Sequence, residues 1–120
     1  MVEILDSTTE RCVVARFEGK ITGDEYRPFL EAVDKRLKAN DDVSVVAELS
    51  EFEFYGDFEA FKEDFHFGAR EYRKLKRCAF VGDPKWIQLL AKLIKPFYKA
   101  EEKHFDEGRM KEAIAWASGK

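Results

Sequence analysis

The chain has 120 residues, with 21 Lys and Arg against 24 Asp and Glu, and a formal net charge of -3. This length favours a single domain over residues 1–120, and a hydrophobic content of 45% excludes a disordered chain. The acidic balance argues against a dedicated nucleic-acid binder, so the basic run 70–77 is interpreted as a solvated helix end. Two cysteines, Cys12 and Cys78, are too few for a disulfide scaffold and favour a reducing compartment.

Targeting signals are not evident in the first residues, which have no basic start, no apolar run of signal-peptide length and no small-residue cleavage site. The longest apolar stretches, such as residues 12–15, are far shorter than the roughly 20 residues that a membrane span needs. These features predict a cytoplasmic protein without a transmembrane segment.

Strand patterns occur in five places along the chain. Residues 2–4 and 12–17 alternate with the period of strands around a polar turn, which predicts a hairpin. Residues 43–49 are apolar on both faces, as expected of a strand buried within an α/β sheet. Residues 77–82 predict a short apolar strand. The partial alternation of residues 98–105 favours an edge strand, which tolerates charges.

A helix is predicted between the second and third strands. Thr22 with Glu25 three residues later forms a capping box, in which each side chain satisfies an orphan amide of the first turn. Asn40 is a plausible end. Pro28 must lie in the opening turn of this helix or bend it.

Three more helices are predicted, each with an aspartate as its cap. Asp57 begins the second helix, Asp83 begins the third, which runs to about Lys95, and Asp106 begins the last. Strands that alternate with helices after an initial hairpin predict an α/β fold. We expect a mixed, largely parallel sheet of four or five strands packed against about four helices.

Four sequence blocks occur together and in order. They are GKITGDEYRPF after the second strand, FYGDFEAFKEDFHFGAREY at the second helix, RCAFVGDPKW before the third helix, and FDEGRMKEAIAWA at the end. Over nearly the whole chain they resemble the SpoIIAA-like protein family, a bacterial group whose fold is similar to that of STAS domains. The resemblance implies one STAS-like domain without an established enzymatic activity. Its architecture is also loosely similar to that of lipid-binding CRAL-TRIO domains, although fold alone does not transfer function.

The resemblance departs from the STAS antagonists at their regulatory position. Those proteins are switched by phosphorylation of a Ser or Thr at the start of the helix that follows the central strand. The matching stretch here is 55–58, with Asp57 and no hydroxyl at the cap, and Ser50 lies several residues too early. A fixed negative charge therefore replaces the phosphorylatable group.

Candidate catalytic residues are few. Cys12 and Cys78 lie within apolar strand segments, where cysteine is usually a small core residue. His66 and His104 are widely spaced from the cysteines and from each other, which fits no metal-site pattern. We therefore predict no enzymatic activity, no cofactor and no metal.

The predicted third helix has the most informative surface. Its lysines recur at helical spacing beside seven large apolar residues, which exceeds the need of one helix-on-sheet face. A basic amphipathic helix with a Trp is typical of a segment lying on an anionic membrane surface, although a core helix with solvent-exposed lysines fits the same pattern. The residues proposed to contact a ligand, a partner or a second subunit are Trp86, Leu90, Lys92, Leu93 and Phe97.

The second candidate surface is the loop that leaves the carboxyl end of the third predicted strand, where open α/β sheets usually bind ligands. Phe54, Tyr55 and Gly56 are expected to line an apolar pocket with Trp86, and the amides after Asp57 to hold a polar head group. The alternative is a loop whose aromatic side chains pack on the core.

Two functions remain open. The first is a non-enzymatic binding module that takes up an apolar or lipid-like ligand between the third helix and the Phe54–Tyr55 loop, near a membrane surface. The alternative is a regulatory protein-interaction domain of the anti-sigma-factor-antagonist type. It would act as a homodimer or with a partner protein, without the usual phosphorylatable Ser or Thr.

Overall fold

The computed structural model describes residues 1–53, 75–82 and 101–119. Two helices and five strands lie in these parts and are numbered here in chain order. They are β1 (Val2–Ile4), β2 (Cys12–Phe17), α1 (Gly23–Ala39), β3 (Ser44–Glu48), β4 (Arg77–Val81), β5 (Glu101–Phe105) and α2 (Met110–Ala117). Of the roughly four helices expected, the described residues contain two, α1 and α2. The predicted second and third helices lie outside the described residues.

The five strands form one mixed sheet in the order β1-β2-β3-β4-β5. β1 and β2 are antiparallel, which confirms the predicted hairpin, and β2 to β5 are parallel to one another. The polar turn of the hairpin is held by Thr8, whose hydroxyl donates to the Val14 carbonyl at 3.1 Å and accepts from the Val14 amide at 3.0 Å. β5 lies at one edge of the sheet, where its charged residues were expected.

Each face of the sheet carries its own apolar cluster, because successive side chains of a strand point to opposite faces. Val13 and Val14 show this directly, since both are fully buried but belong to different clusters. α1 packs on the first face, through Phe29 and Val33. α2 packs on the second face, through Ala113 and Ala117. The fold is therefore α/β with helices on both faces.

The capping box at the start of α1 is confirmed. The Thr22 hydroxyl accepts the Glu25 amide proton at 3.3 Å. Asn40 is the cap residue that follows α1, and its backbone amide donates to the Arg36 carbonyl at 2.9 Å. Pro28 lies in the second turn rather than the opening turn. It therefore offers no amide proton to the carbonyl four residues earlier.

The expected cap of the last helix is wrong. Arg109, not Asp106, is the residue that precedes α2, and no side chain caps this helix. The carbonyl of Asp106 instead accepts the Arg109 amide proton at 3.2 Å, in a turn between β5 and α2. Two residues of turn, including Gly108 at φ 90°, separate Asp106 from Arg109, the residue before the helix.

Candidate functional site

The carboxyl ends of the parallel strands meet at one edge of the sheet, called here the carboxyl edge. β3 and β4 are neighbours in register, with Glu48 opposite Val81. Residues 49–53 and Gly82 follow these two ends, so the chain enters the segments 54–74 and 83–100 from adjacent positions. Ligands of open α/β sheets commonly bind outside this edge.

The loop after β3 is held against the chain that follows β2. The Gly19 amide donates to the Glu51 carbonyl at 2.8 Å, and the Glu53 amide donates to the Gly19 carbonyl at 3.0 Å. Gly19 has a φ of 65°, a conformation that favours glycine. Phe52 is buried at 7% exposure, so this loop is anchored in the core.

Gly82 closes the same edge from β4. Its amide donates to the Phe105 carbonyl at 3.1 Å, and its φ is 146°. A Cβ at this position would lie 3.1 Å from both the Leu49 carbonyl carbon and the Ser50 amide nitrogen. A side chain at this position would therefore require the backbone of Leu49 and Ser50 to shift by a few tenths of an ångström, in addition to the strained φ.

A buried carboxylate lies at the end of β3. Glu48 is 7% exposed, and its Oε2 lies 3.2 Å from Nε of Arg16, the directly paired residue of β2. Its Oε1 accepts the Ser50 amide proton at 2.8 Å. These partners compensate the charge of a side chain that would otherwise be costly to bury. The Arg16 side chain remains 39% exposed, so its guanidinium is accessible at the edge.

Ser50 adds a polar group beside this pair. Its Oγ is inaccessible to solvent and has no hydrogen-bond partner among the residues that the structure describes. An unsatisfied buried hydroxyl costs about 1–3 kcal/mol, so such a group calls for a partner, which a water, an ion or a ligand can supply. His104 lies at the same edge, with Nε2 3.1 Å from the Gly82 carbonyl oxygen.

The nine residues that the sequence analysis selected all lie outside the described residues. They are Phe54, Tyr55, Gly56, Asp57, Trp86, Leu90, Lys92, Leu93 and Phe97. The described residues that directly precede them in the chain are 49–53 and Gly82. The predicted pocket between the loop and the third helix therefore stays a prediction.

The sequence analysis missed Arg16, Glu48 and Ser50 as site residues. A signal was present, because Arg16 and Glu48 each occupy the fifth position of an otherwise apolar or small-residue strand. Opposite charges at equivalent positions of two adjacent parallel strands predict a cross-strand ion pair. The parallel register that makes the positions equivalent is a property of the sheet.

The cysteines are buried on opposite faces of the sheet, as expected for core residues. Burial raises the pKa of the Cys12 thiol, and a hydrogen bond with Ser118 partly offsets this. Burial, with a smaller contribution from the charge of Glu102, raises the pKa of Cys78 to about 12. Both thiols are thus held protonated at neutral pH, which disfavours them as nucleophiles.

Within residues 1–53, 75–82 and 101–119, no three His, Cys, Asp or Glu side chains are grouped so that they could hold a metal ion. In the same ranges neither helix is both long and apolar enough to cross a membrane.

Comparisons with known proteins agree with this architecture. Residues 12–118 match the family model described as SpoIIAA-like. A crystal structure of an uncharacterized protein of the DUF3478 family from Shewanella loihica PV-4, described as having a SpoIIAA-like fold, superposes with a TM-score of 0.68. It is 18% identical, and the match covers 98% of this chain and 92% of that one. No curated protein matches this sequence.

Proposed function

This chain belongs to the SpoIIAA-like family, and within that fold we propose that it is a non-enzymatic binding module for an apolar or lipid-like ligand near a membrane surface. The site is the carboxyl edge of the sheet. The observation that supports this most is the buried Ser50 hydroxyl, which has no hydrogen-bond partner among the described residues. Glu48 links it to the partly exposed Arg16, because this carboxylate accepts from the Ser50 amide and pairs with Arg16.

The polar groups of the edge suit the head group of an amphipathic ligand. A carboxylate head group of a ligand accepts hydrogen bonds from a hydroxyl and from a guanidinium. These two hydrogen bonds are strong, because the ligand carboxylate is charged in each of them and the guanidinium is charged as well. Arg16 donates to Glu48 through Nε, and Glu18 Oε1 lies 4.0 Å from the same nitrogen, so both carboxylates approach the guanidinium at Nε. Ser50 Oγ supplies a second donor.

The apolar body of the ligand is assigned to the two segments that leave this edge. Phe54 and Tyr55 follow Ser50 within five residues, and the apolar residues between Trp86 and Phe97 follow Gly82. Because Glu48 and Val81 are paired, both segments start at neighbouring strand ends. This common origin supports a site between them.

The absence of catalysis is part of the proposal, and the cysteines support it. Cys12 and Cys78 are the strongest nucleophile types in the chain, and burial disfavours the thiolate of each. Neither thiol lies at the carboxyl edge, since each is the first or second residue of its strand.

Native mass spectrometry of the purified chain, followed by the same measurement under denaturing conditions, tests the proposal. The expected native mass exceeds a whole multiple of 14.0 kDa, and the excess is lost on denaturation. Titration with oleate is the second arm, and binding to phosphatidylglycerol vesicles tests the membrane location.

Two variants make the titration specific. Ser50→Ala should weaken oleate binding about tenfold, the value of one hydrogen bond to a charged group, without loss of stability. Ser7→Ala removes a hydroxyl from the exposed hairpin turn and should leave binding unchanged. A chain without excess mass that also fails to bind oleate contradicts the proposal. A clean dimer without excess mass instead favours the protein-interaction domain.

A further inference from the structure

A cleft lies at the edge of the sheet opposite the carboxyl edge, where the parallel strands begin. It has a volume of about 550 Å³ and includes the first residues of three strands, Cys12, Ser44 and Arg77. Ser118 and Gly119, which follow α2, complete its wall. The volume lies in the range of small-molecule sites.

The charges of this amino-end cleft are unequal. Arg11, Lys76 and Arg77 bring three cations from two distant parts of the chain, against the acids Glu10 and Asp42. Asp42 is already engaged by Arg11, with Oδ2 and Nη1 3.0 Å apart. Lys76 has no ion-pair partner among the described residues, so its charge is available to a ligand.

Arg77 is held in place by groups that leave part of its guanidinium unused. Its Nη1 donates to the Trp116 carbonyl at 2.7 Å, and the guanidinium lies 5.3 Å from the centre of the Trp116 ring. Its Nε is buried without a hydrogen-bond partner in the described parts of the chain, since Glu101 Oε2 is 3.6 Å away. Arg77 is therefore a fixed cation that is already paired with one carboxylate, and Lys76 supplies the unpaired positive charge of the cleft among the described residues.

Neutral donors stand beside these cations. Ser44, which is 2% exposed, begins β3. Ser118 follows α2 as its cap residue and also forms a hydrogen bond with the Cys12 thiol. Hydroxyl groups next to Lys and Arg are the usual complement of phosphate and carboxylate oxygens.

We propose that the amino-end cleft binds a small organic anion through its phosphate or carboxylate group. Lys76 contacts the anionic group directly, and Arg77 adds a second, partly compensated positive charge beside it. The site is separated from the carboxyl edge by the length of the strands, so it is independent of the proposed lipid-like ligand. Glu10 opposes the anion, because among the described residues its carboxylate is engaged by the neutral side-chain amide of Asn40, at 3.2 Å, and by no cation.

Amide chemical shifts of the full chain, followed by NMR during titration, provide the test. Glycerol 3-phosphate and citrate are the probes for the phosphate and carboxylate chemistries, and sodium chloride at equal ionic strength is the control for screening. We expect saturable shifts at Ser44, Lys76 and Ser118 with at least one of the two probes.

Three charge variants localise the effect. Lys76→Gln should weaken binding about fivefold or more, because it removes a charge-assisted contact from an exposed position without disturbing the core. Glu10→Gln should strengthen binding about twofold, a gain that damage to the fold does not produce. Lys111→Gln, at an exposed position of α2 outside the cleft, removes the same charge and should change nothing.

The proposal is overturned if sodium chloride reproduces the shifts, or if neither probe saturates. It is equally overturned if Lys111→Gln weakens binding as much as Lys76→Gln, because the effect would then come from net charge alone.

Discussion

Nε of Arg16 and Oε2 of Glu48 lie 3.2 Å apart at directly paired positions of two parallel strands. The carboxylate is almost fully buried and the guanidinium is partly exposed. This ion pair therefore joins β2 to β3 and places a partly exposed guanidinium at the carboxyl edge, with Glu18 Oε1 4.0 Å from its Nε. The edge is polar at that point although the strands around it are apolar.

Removal of the cation should destabilise the fold, because it leaves the Glu48 carboxylate buried without its charged partner. We expect Arg16→Gln to lower the free energy of unfolding by about 2 kcal/mol, less than for a fully buried pair because Arg16 is partly exposed. Urea denaturation at neutral pH measures this.

The matched control for that variant is Arg27→Gln. Arg27 pairs with Asp24 at 3.4 Å, and both side chains are largely exposed. Loss of the Arg27–Asp24 pair should lower the free energy of unfolding by less than about 0.5 kcal/mol. Equal losses in the two variants would show that burial of Glu48 does not set the strength of the pair.

Gly82→Ala should destabilise the protein by about 2 kcal/mol or more. The substitution adds a Cβ 3.1 Å from the backbone of Leu49 and Ser50, at a φ of 146° that L residues rarely adopt. Thermal unfolding gives the change. Gly108→Ala is the control, since its φ of 90° is also strained but nothing lies within 4 Å of the added Cβ. A larger loss at Gly108 than at Gly82 would refute close approach as the cause.

Stability should fall at alkaline pH because of Cys78. Its pKa is raised from 9.0 to about 12 in the folded chain, so the folded state retains the proton longer than the unfolded state does. The stabilisation is complete below pH 9 and is lost as the pH rises towards 12, with a slope of about 1.4 kcal/mol per pH unit.

Denaturation curves of the parent chain and of Cys78→Ala, recorded from pH 8 to pH 11, measure this slope. The variant begins with lower stability at pH 8, because it loses buried volume, but declines less steeply. Parallel pH profiles would contradict the assignment to Cys78.

The capping box predicts a further stability change. Thr22→Ala should cost about 1 kcal/mol, because the Glu25 amide loses the acceptor that it has in α1. Thr9→Ala, at an exposed threonine of the hairpin turn, is the control and should cost less than half as much. Chemical denaturation of the two variants provides the comparison, and indistinguishable midpoints would argue against the cap.

The accuracy of the sequence-based predictions follows the range of the interactions involved. The alternation of Val13 and Val14 between the two faces of β2 follows from local periodicity. The Thr22 cap depends on a neighbour only three residues away. Both features were therefore predictable from the sequence. The cap at Asp106 was a local prediction that failed. The chain inserts a turn through Gly108 before α2 begins, and side-chain propensity does not reveal such a turn.

The sequence by itself determined the α/β class, the hairpin that starts the sheet, and the burial of both cysteines, because short apolar runs separated by turns and helical patterns predict buried strands. Only the tertiary structure decided which charged residues meet. Arg16 and Glu48 are 32 residues apart, and Arg11 and Arg77 are farther still. Their proximity depends on the register of parallel strands, which is set by the packing of both faces at once and not by any local pattern. That register places Arg16 beside Glu48 at one edge of the sheet and three cations around a cleft at the other.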